Sequence, residues 1–287
     1  MTRLRWLAGN ASTYMENAES LPEFFHHCFA VKVRAFLLAA RDLLDWRNIA
    51  VDRTAMALLL VYLHGKHGSA LSNQMRQTKS MAPDYAVKWW KERRLAPPDM
   101  DPVDFMVKRL AWRYAKGVPV TAKSEMHLGD AGEALVAISR RLRQQRRRVG
   151  LIFTSPPYFG LTNYHYDQWL RLWLLGGAPN AYRVPGTSEM RGKFENGARY
   201  IGLLESVFSK AAPTLASDGT VYVRTGAGEL TLSATRAALL AAFPEHRLEE
   251  VARPYTKPTQ TSLFGDSTPK AGEVDLIMRR CPSGPTI

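Results

Sequence analysis

The sequence predicts an α/β protein in which residues 1–120 are helical and residues 121–287 form a sheet with covering helices. Three observations carry this prediction. Apolar residues recur at three- and four-residue spacing in the first region. After Gly117, short apolar runs alternate with amphipathic segments, and glycine- or proline-containing turns separate them. Alternation of this kind is typical of a parallel sheet with an antiparallel edge.

The helical region contains several segments with one apolar face. The stretch LPEFFHHCFAVKVRAFLLAARDLLDW places Phe29, Val33, Phe36 and Leu37 at helical spacing. PDYAVKWWKERRL and DPVDFMVKRLAWRYAKG each begin with proline next to aspartate and end in basic residues, which suits the helix dipole. We interpret residues 1–120 as an insertion for target recognition or for binding a partner.

The second region predicts the elements of a sheet in order. SEMHLGD indicates a short strand with a turn at Gly129–Asp130, and a helix follows it. VGLIFTSPPY indicates a buried, central strand that ends in a loop. RYIGLLESVFSKAAPTLA predicts a helix, TVYVRT a strand, and LSATRAALLAAFPEH another helix. RLEEVARPY and EVDLIMRR predict a final antiparallel pair around a long polar loop.

Composition favours a polyanionic partner. The net charge is +13 for 287 residues, an excess that suggests double-stranded DNA, although a solvated basic surface is the alternative. The two cysteines, Cys28 and Cys281, give no metal-ligand spacing and no disulfide framework. No apolar run is long enough for a signal peptide or a membrane span. We therefore expect a soluble cytoplasmic protein with no metal and no membrane contact.

The TSPPY segment contains the candidate catalytic groups. It follows the apolar run GLIF, and ligands of open α/β sheets bind beyond the carboxyl ends of strands. Pro156 and Pro157 fix φ and restrict the residue before each of them, so Ser155 and both prolines are held extended. Carbonyl groups in such a segment have no helical partners, and Tyr158 offers a flat ring for stacking.

These groups suit the methylation of an exocyclic amino group. The lone pair of such a nitrogen on cytosine or adenine is delocalised into the ring. A hydroxyl and a carbonyl that each accept one amino hydrogen would draw the nitrogen toward tetrahedral geometry, and its lone pair could then attack an electrophilic methyl group. A base in a duplex must first be flipped out, and a stacked aromatic ring helps to hold it.

TSPPY resembles the catalytic motif of DNA amino-methyltransferases, and FGLTNYHYDQWLRLWLLGG is similar to a subgroup of bacterial site-specific DNA methyltransferases of restriction-modification systems. The resemblance implies a Rossmann-like S-adenosylmethionine-dependent methyltransferase sheet. It implies that Ser155 and the Pro156 carbonyl bind the target amino group, and that Tyr158, after Pro157, stacks on the base. Ser155 resembles the cytosine-N4 enzymes more than the adenine-N6 enzymes. Neither cysteine has the Pro–Cys setting of ring-carbon methylation.

The resemblance also assigns contacts to the cofactor S-adenosylmethionine. Asp130 in MHLGDAGEAL would contact its adenine, with Thr154 and Ser155 at the strand end as further cofactor contacts. An equally weighted alternative makes Asp130 a helix cap.

DNA contacts are predicted in two segments. RRLRQQRRR includes Arg140, Arg141 and Arg143, which would bind DNA phosphates or else lie on a solvated helix end. Thr259 and Gln260, in the polar loop before the last strand, would touch the base or the cofactor.

The glycine-rich cofactor motif of this family is not found, which implies that the first strands of the sheet are absent from this chain. Three explanations remain open. A partner subunit could supply the motif, the chain could be an inactive remnant, or RTGAGE with Gly226 and Gly228 could bind the cofactor in a permuted order. We favour a partner, because an incomplete sheet exposes an apolar edge. A non-catalytic DNA-binding protein is the main rival function, and an RNA or protein-glutamine methyltransferase is a third.

Overall fold

The computed structural model describes residues 1–76, 79–117, 124–160, 163–182, 194, 196–255 and 272–280. The chain divides into two compact units. The first, the helical unit, contains Met1–Thr121 and Tyr164–Val184. The second, the sheet unit, contains Ala122–Asn163 and Pro185–Ile287.

The described residues form both helices and strands, which confirms the α/β class. In chain order the elements are α1 (Thr2–Ala11), α2 (Met15–Glu19), α3 (Glu23–Cys28), α4 (Val31–Leu43), α5 (Ala50–Tyr62), α6 (Pro83–Glu92), α7 (Pro102–Tyr114), α8 (Ala131–Gln144), β1 (Val149–Thr154), α9 (Tyr164–Asp167), α10 (Trp169–Leu174), α11 (Gly197–Ala211), β2 (Leu215–Gly226), α12 (Glu229–Ala242), β3 (His246–Arg253) and β4 (Glu273–Arg280).

The helical unit is built around buried aromatic rings. Phe24 and Phe25 of α3 pack against Trp169 and Trp173 of α10, with ring centroids 4.9 Å and 4.5 Å apart in the two closest pairs. Both tryptophans are 1% exposed, and burial of a ring this large contributes about 4 kcal/mol. The tryptophans that follow the TSPPY loop in sequence therefore belong to this core. No helix among the described residues is long and apolar enough to cross a membrane.

The helix starts follow the local sequence. The Asp101 carboxylate accepts hydrogen bonds from the backbone N–H groups of Val103 and Asp104, so it caps α7, with Pro102 at the first helical position. This confirms the prediction from the Asp–Pro pair. The α6 helix likewise has Pro83 at its start.

The sheet unit contains a four-stranded mixed sheet in the order β1-β2-β4-β3. Strand β1 is parallel to β2, and β4 is antiparallel to both β2 and β3. The predicted antiparallel pairing of the last two strands is confirmed. This pair forms the predicted antiparallel edge of the sheet, with β4 on the free side of β2 and β3 outermost.

Strand β1 was predicted to be buried and central, and this is wrong. It is an edge strand of the described sheet, with the Leu151 side chain 56% exposed and that of Phe153 70% exposed. An apolar strand is fully buried only when strands flank it on both sides and layers cover both faces. In the described sheet, β1 has a neighbour on one side only.

The two faces of the sheet differ. One face packs against α11 and α12, and its side chains Val221, Val223, Leu276 and Met278 are completely buried. Since side chains alternate along a strand, Phe153, Tyr222 and Asp275 point to the other face. We call this second face the open face, because within the described sheet unit the helices that pack on the strands lie on the first.

The short strand predicted within residues 124–129 does not form. Residues 124–128 have no regular secondary structure, and Met126 and Leu128 are almost fully exposed. A strand requires a neighbour that accepts and donates its backbone hydrogen bonds, and the described sheet provides none for this segment.

Candidate functional site

The TSPPY loop lies where the sequence predicts, at the carboxyl end of the parallel strand β1. Thr154 is the last residue of that strand and pairs with Val223 of β2. Ser155 is exposed, whereas Pro156, Pro157 and Tyr158 are partly buried. The end of a parallel strand is the usual ligand position in open α/β sheets.

Three hydrogen bonds fix the loop, two of them to helices α11 and α12 and one to Phe194. The Tyr200 hydroxyl, on the first turn of α11, donates to the Pro157 carbonyl oxygen at 3.0 Å. The backbone N–H of Phe159 donates to Thr231 Oγ1 of α12 at 3.2 Å, and that of Gly160 donates to the Phe194 carbonyl at 2.7 Å. The loop is thus held by the elements that form the sheet core.

The two oxygen acceptors that the resemblance names are not used in these three hydrogen bonds. The Pro157 carbonyl is already bonded to Tyr200. Among the described residues, none donates a hydrogen bond to the Pro156 carbonyl, and the Ser155 side chain is exposed. The Ser155 hydroxyl and the Pro156 carbonyl are the pair that the resemblance assigns to the amino group.

The Tyr158 ring lies against Gly226, the last residue of β2. A Cβ atom added at Gly226 would lie 3.2 Å from Cδ2 and 3.3 Å from Cγ of Tyr158, closer than ordinary van der Waals contact. The Tyr158 hydroxyl donates to Glu273 Oε1 at 2.8 Å. Burial raises the pKa of Tyr158 to about 12, a hydrogen bond from Ser155 acts against it, and the bond to Glu273 adds to it. Tyr158 is therefore a neutral phenol at physiological pH.

An ion-pair network continues from Glu273 across the open face. Arg224 Nε lies 3.8 Å from Glu273 Oε2 and 2.7 Å from Asp275 Oδ1. Arg253 Nε lies 2.8 Å from Asp275 Oδ2, and the Asp275 side chain is fully buried. The Arg224 guanidinium, helped by Tyr222 and Arg253, holds the pKa of Asp275 well below its usual range.

The residues predicted to bind the cofactor do not form one cluster. Thr154 and Ser155 are contiguous with the loop. Asp130 caps α8, where its carboxylate accepts a hydrogen bond from the Glu133 N–H at 3.0 Å. A Cβ at Gly132 would lie 3.1 Å from Asp130 Oδ1 and 3.0 Å from Lys210 Nζ, in the last turn of α11. The TSPPY loop contacts the first turn of the same helix, so it lies at the opposite end of α11 from Lys210. The hydrogen bond from Glu133 supports the capping alternative for Asp130. Contact between Asp130 and a cofactor stays a prediction.

The predicted DNA-binding residues have separate environments. Arg140 and Arg143 are exposed and border a cavity of about 570 Å³ beside the end of α11. Arg141 pairs with Glu125 at 2.5 Å. All three lie in the last turns of α8, where cations also complement the helix dipole. Thr259 and Gln260 lie outside the described residues.

The Gly-x-Gly candidate is a strand–turn–helix junction. Gly226 ends β2 and Gly228 is the N-cap of α12. Gly226 has a structural explanation that the sequence did not suggest, since the Tyr158 ring occupies the space of its missing side chain. Sequence reasoning also missed Glu273 and Tyr200. Their contacts depend on the strand register and on helix packing, which no local motif encodes.

Comparison with models of known protein families gives no match, and no curated protein matches the chain. Among the described residues, no group of three or more histidine, cysteine, aspartate or glutamate side chains could hold a metal ion.

Proposed function

We propose that this chain is the catalytic subunit of a DNA amino-methyltransferase. It transfers a methyl group from S-adenosylmethionine to the exocyclic amino group of cytosine, at N4, with adenine N6 as the less favoured target. The observation that supports this most is the loop at the end of β1. There the exposed Ser155 and a Pro156 carbonyl to which no described residue donates a hydrogen bond stand beside the Tyr158 ring, which other contacts hold.

These groups perform distinct tasks on a flipped base. The Ser155 hydroxyl oxygen and the Pro156 carbonyl accept the two amino hydrogens and localise the lone pair on nitrogen. The Tyr158 ring stacks on the base and holds it in position. The cofactor, when bound, supplies the electrophilic methyl group on its sulfonium.

The described residues do not form a complete cofactor site. The Asp130 carboxylate is engaged in the cap of α8, and the ring of Tyr158 covers Gly226. We therefore propose that a partner subunit supplies the glycine-rich turn. The position of β1 supports this, because β1 lies at the edge of the described sheet, where its outer backbone groups can pair with a further strand, and its Leu151 and Phe153 side chains are exposed.

Incorporation of a tritiated methyl group into duplex DNA of mixed sequence tests the proposal. We expect Ser155→Ala and Tyr158→Ala to abolish incorporation while the far-ultraviolet circular dichroism is unchanged. Ser233→Ala is the matched control, because Ser233 is an exposed serine on α12. Full activity of Ser155→Ala would refute the assignment of its hydroxyl.

A non-catalytic DNA-binding protein of the same shape is the second candidate, favoured by the net charge of +13 and by the exposed Arg140 and Arg143. It predicts DNA binding that weakens steeply with salt and no binding of S-adenosylmethionine. Calorimetric titration of the chain with the cofactor, alone and with the partner subunit, separates the two candidates.

A further inference from the structure

We infer that Glu273 is a positioning residue for the proposed reaction: together with Gly226 it forms a seat that fixes the Tyr158 ring at the target base. This inference rests on the proposed function for its catalytic consequence. The placement of the ring stands on the geometry alone.

The seat is a cross-strand pair of the sheet. Gly226 of β2 and Glu273 of β4 are register partners and therefore lie side by side at the end of the ladder. The Tyr158 ring lies against Gly226, and its hydroxyl donates to Glu273 Oε1 at 2.8 Å. Gly226 thus supports the ring and Glu273 fixes its hydroxyl, so the phenol can neither slide nor rotate freely.

Glu273 is itself oriented by the neighbouring pair on the same face. Arg224 and Asp275 are the next register partners with side chains on the open face. The second carboxylate oxygen of Glu273 lies 3.8 Å from Arg224 Nε, and two hydrogen bonds to Asp275 fix that guanidinium. The buried Asp275 therefore supports Glu273 through Arg224, and the loop tyrosine is tied to the interior of the sheet.

Such a seat has a catalytic consequence. A ring supported on one face and tethered at its hydroxyl presents its other face without losing further rotational freedom when a base stacks on it. Displacement of reacting groups by a fraction of an ångström lowers rates substantially. Loss of the hydrogen bond should therefore reduce kcat, whereas KM for DNA, which depends mainly on phosphate contacts, should change little.

The first test needs no enzymatic activity. In the chain labelled with ¹³Cζ-tyrosine, Tyr158→Phe identifies the Tyr158 resonance. We expect Glu273→Ala to shift that resonance and to lower the pKa of Tyr158. Glu249→Ala, which removes an exposed glutamate of β3 on the same face, should leave both unchanged. An unchanged Tyr158 resonance in Glu273→Ala would overturn the inference.

The second test uses the holoenzyme with its partner subunit and tritiated-methyl transfer to duplex DNA. We expect Tyr158→Phe and Glu273→Ala each to lower kcat about tenfold, the effect of losing one hydrogen bond, with KM within twofold of wild type. Tyr158→Phe removes the bond to Glu273 as well as the bond from Ser155, so the double variant should lose no more activity than Tyr158→Phe alone. Glu273→Gln keeps an acceptor oxygen and should retain most of the activity.

The outcomes separate the two proposals. A hundredfold loss in the double variant, or full activity of Glu273→Ala, would contradict the positioning role. If the wild-type protein transfers no methyl group, the proposed function fails, and the resonance of Tyr158 still decides whether Glu273 holds the ring.

Discussion

Replacement of Gly226 by alanine probes the packing of Tyr158 with the smallest available change. The added methyl group would lie 3.2 Å from Tyr158 Cδ2, so the ring must move by a few tenths of an ångström. Overpacking of this kind destabilises the folded protein by about 1–3 kcal/mol. Alanine also reduces the conformational freedom of the unfolded chain, which stabilises the protein by about 0.5–1 kcal/mol. The net decrease in the free energy of unfolding should therefore stay below about 2.5 kcal/mol.

Activity should respond more strongly than stability. A displaced ring no longer matches the base, and we expect methyl transfer to fall about tenfold. Gly228→Ala is the matched control in the same turn, because a Cβ there meets nothing within 4 Å and its φ of −63° suits alanine. It should keep activity within twofold of wild type.

Denaturant unfolding and tritiated-methyl incorporation measure the two effects. Wild-type activity in Gly226→Ala would refute the reasoning about the ring. Loss of activity in Gly228→Ala would instead indicate that the Gly-x-Gly turn approaches the cofactor, as the permuted arrangement requires.

Three further changes test other parts of the account. Asp275→Asn should lower the free energy of unfolding by about 2 kcal/mol at neutral pH. Because folding lowers the pKa of Asp275, the difference in stability from wild type should shrink as pH falls below about 4. Circular-dichroism melts measure it. His64 has its pKa lowered to about 4 by burial and by Arg171, so protonation opposes folding. As pH falls from 6.5 toward 4 the free energy of unfolding should drop by up to about 3 kcal/mol, and His64→Gln should remove this slope. Tryptophan fluorescence reports it, since all seven tryptophans lie in the helical unit. Phe153→Lys places a charge on the open face of β1 and should weaken partner binding in sedimentation experiments at least tenfold, and unchanged binding would exclude the open face around Phe153 as the partner's site.

The sequence predicted the features that local rules determine. Helices α11 and α12 follow from the local sequence pattern, and α7 also from the Asp101–Pro102 pair at its start; these signals lie within a few neighbouring residues. The loop after β1 follows from a short apolar run and two prolines. These predictions required no knowledge of distant parts of the chain.

The features that were missed depend on distant contacts. The edge position of β1 is set by which strands flank it, and the same run GLIF would suit a central strand equally well. The contact between Tyr158 and Glu273 joins residues 115 positions apart. Asp130 had two open roles, and the hydrogen bond from the Glu133 N–H supports the cap.

Mass spectrometry of nucleosides from digested DNA tests the central claim most directly. Duplex DNA is incubated with S-adenosylmethionine, the partner subunit and either wild-type protein or Ser155→Ala. We predict N4-methylcytosine with the wild-type protein and none with the variant. Equal amounts of methylated nucleoside from both proteins, or none from the wild type, would contradict the claim that the Ser155–Tyr158 loop carries out amino methylation.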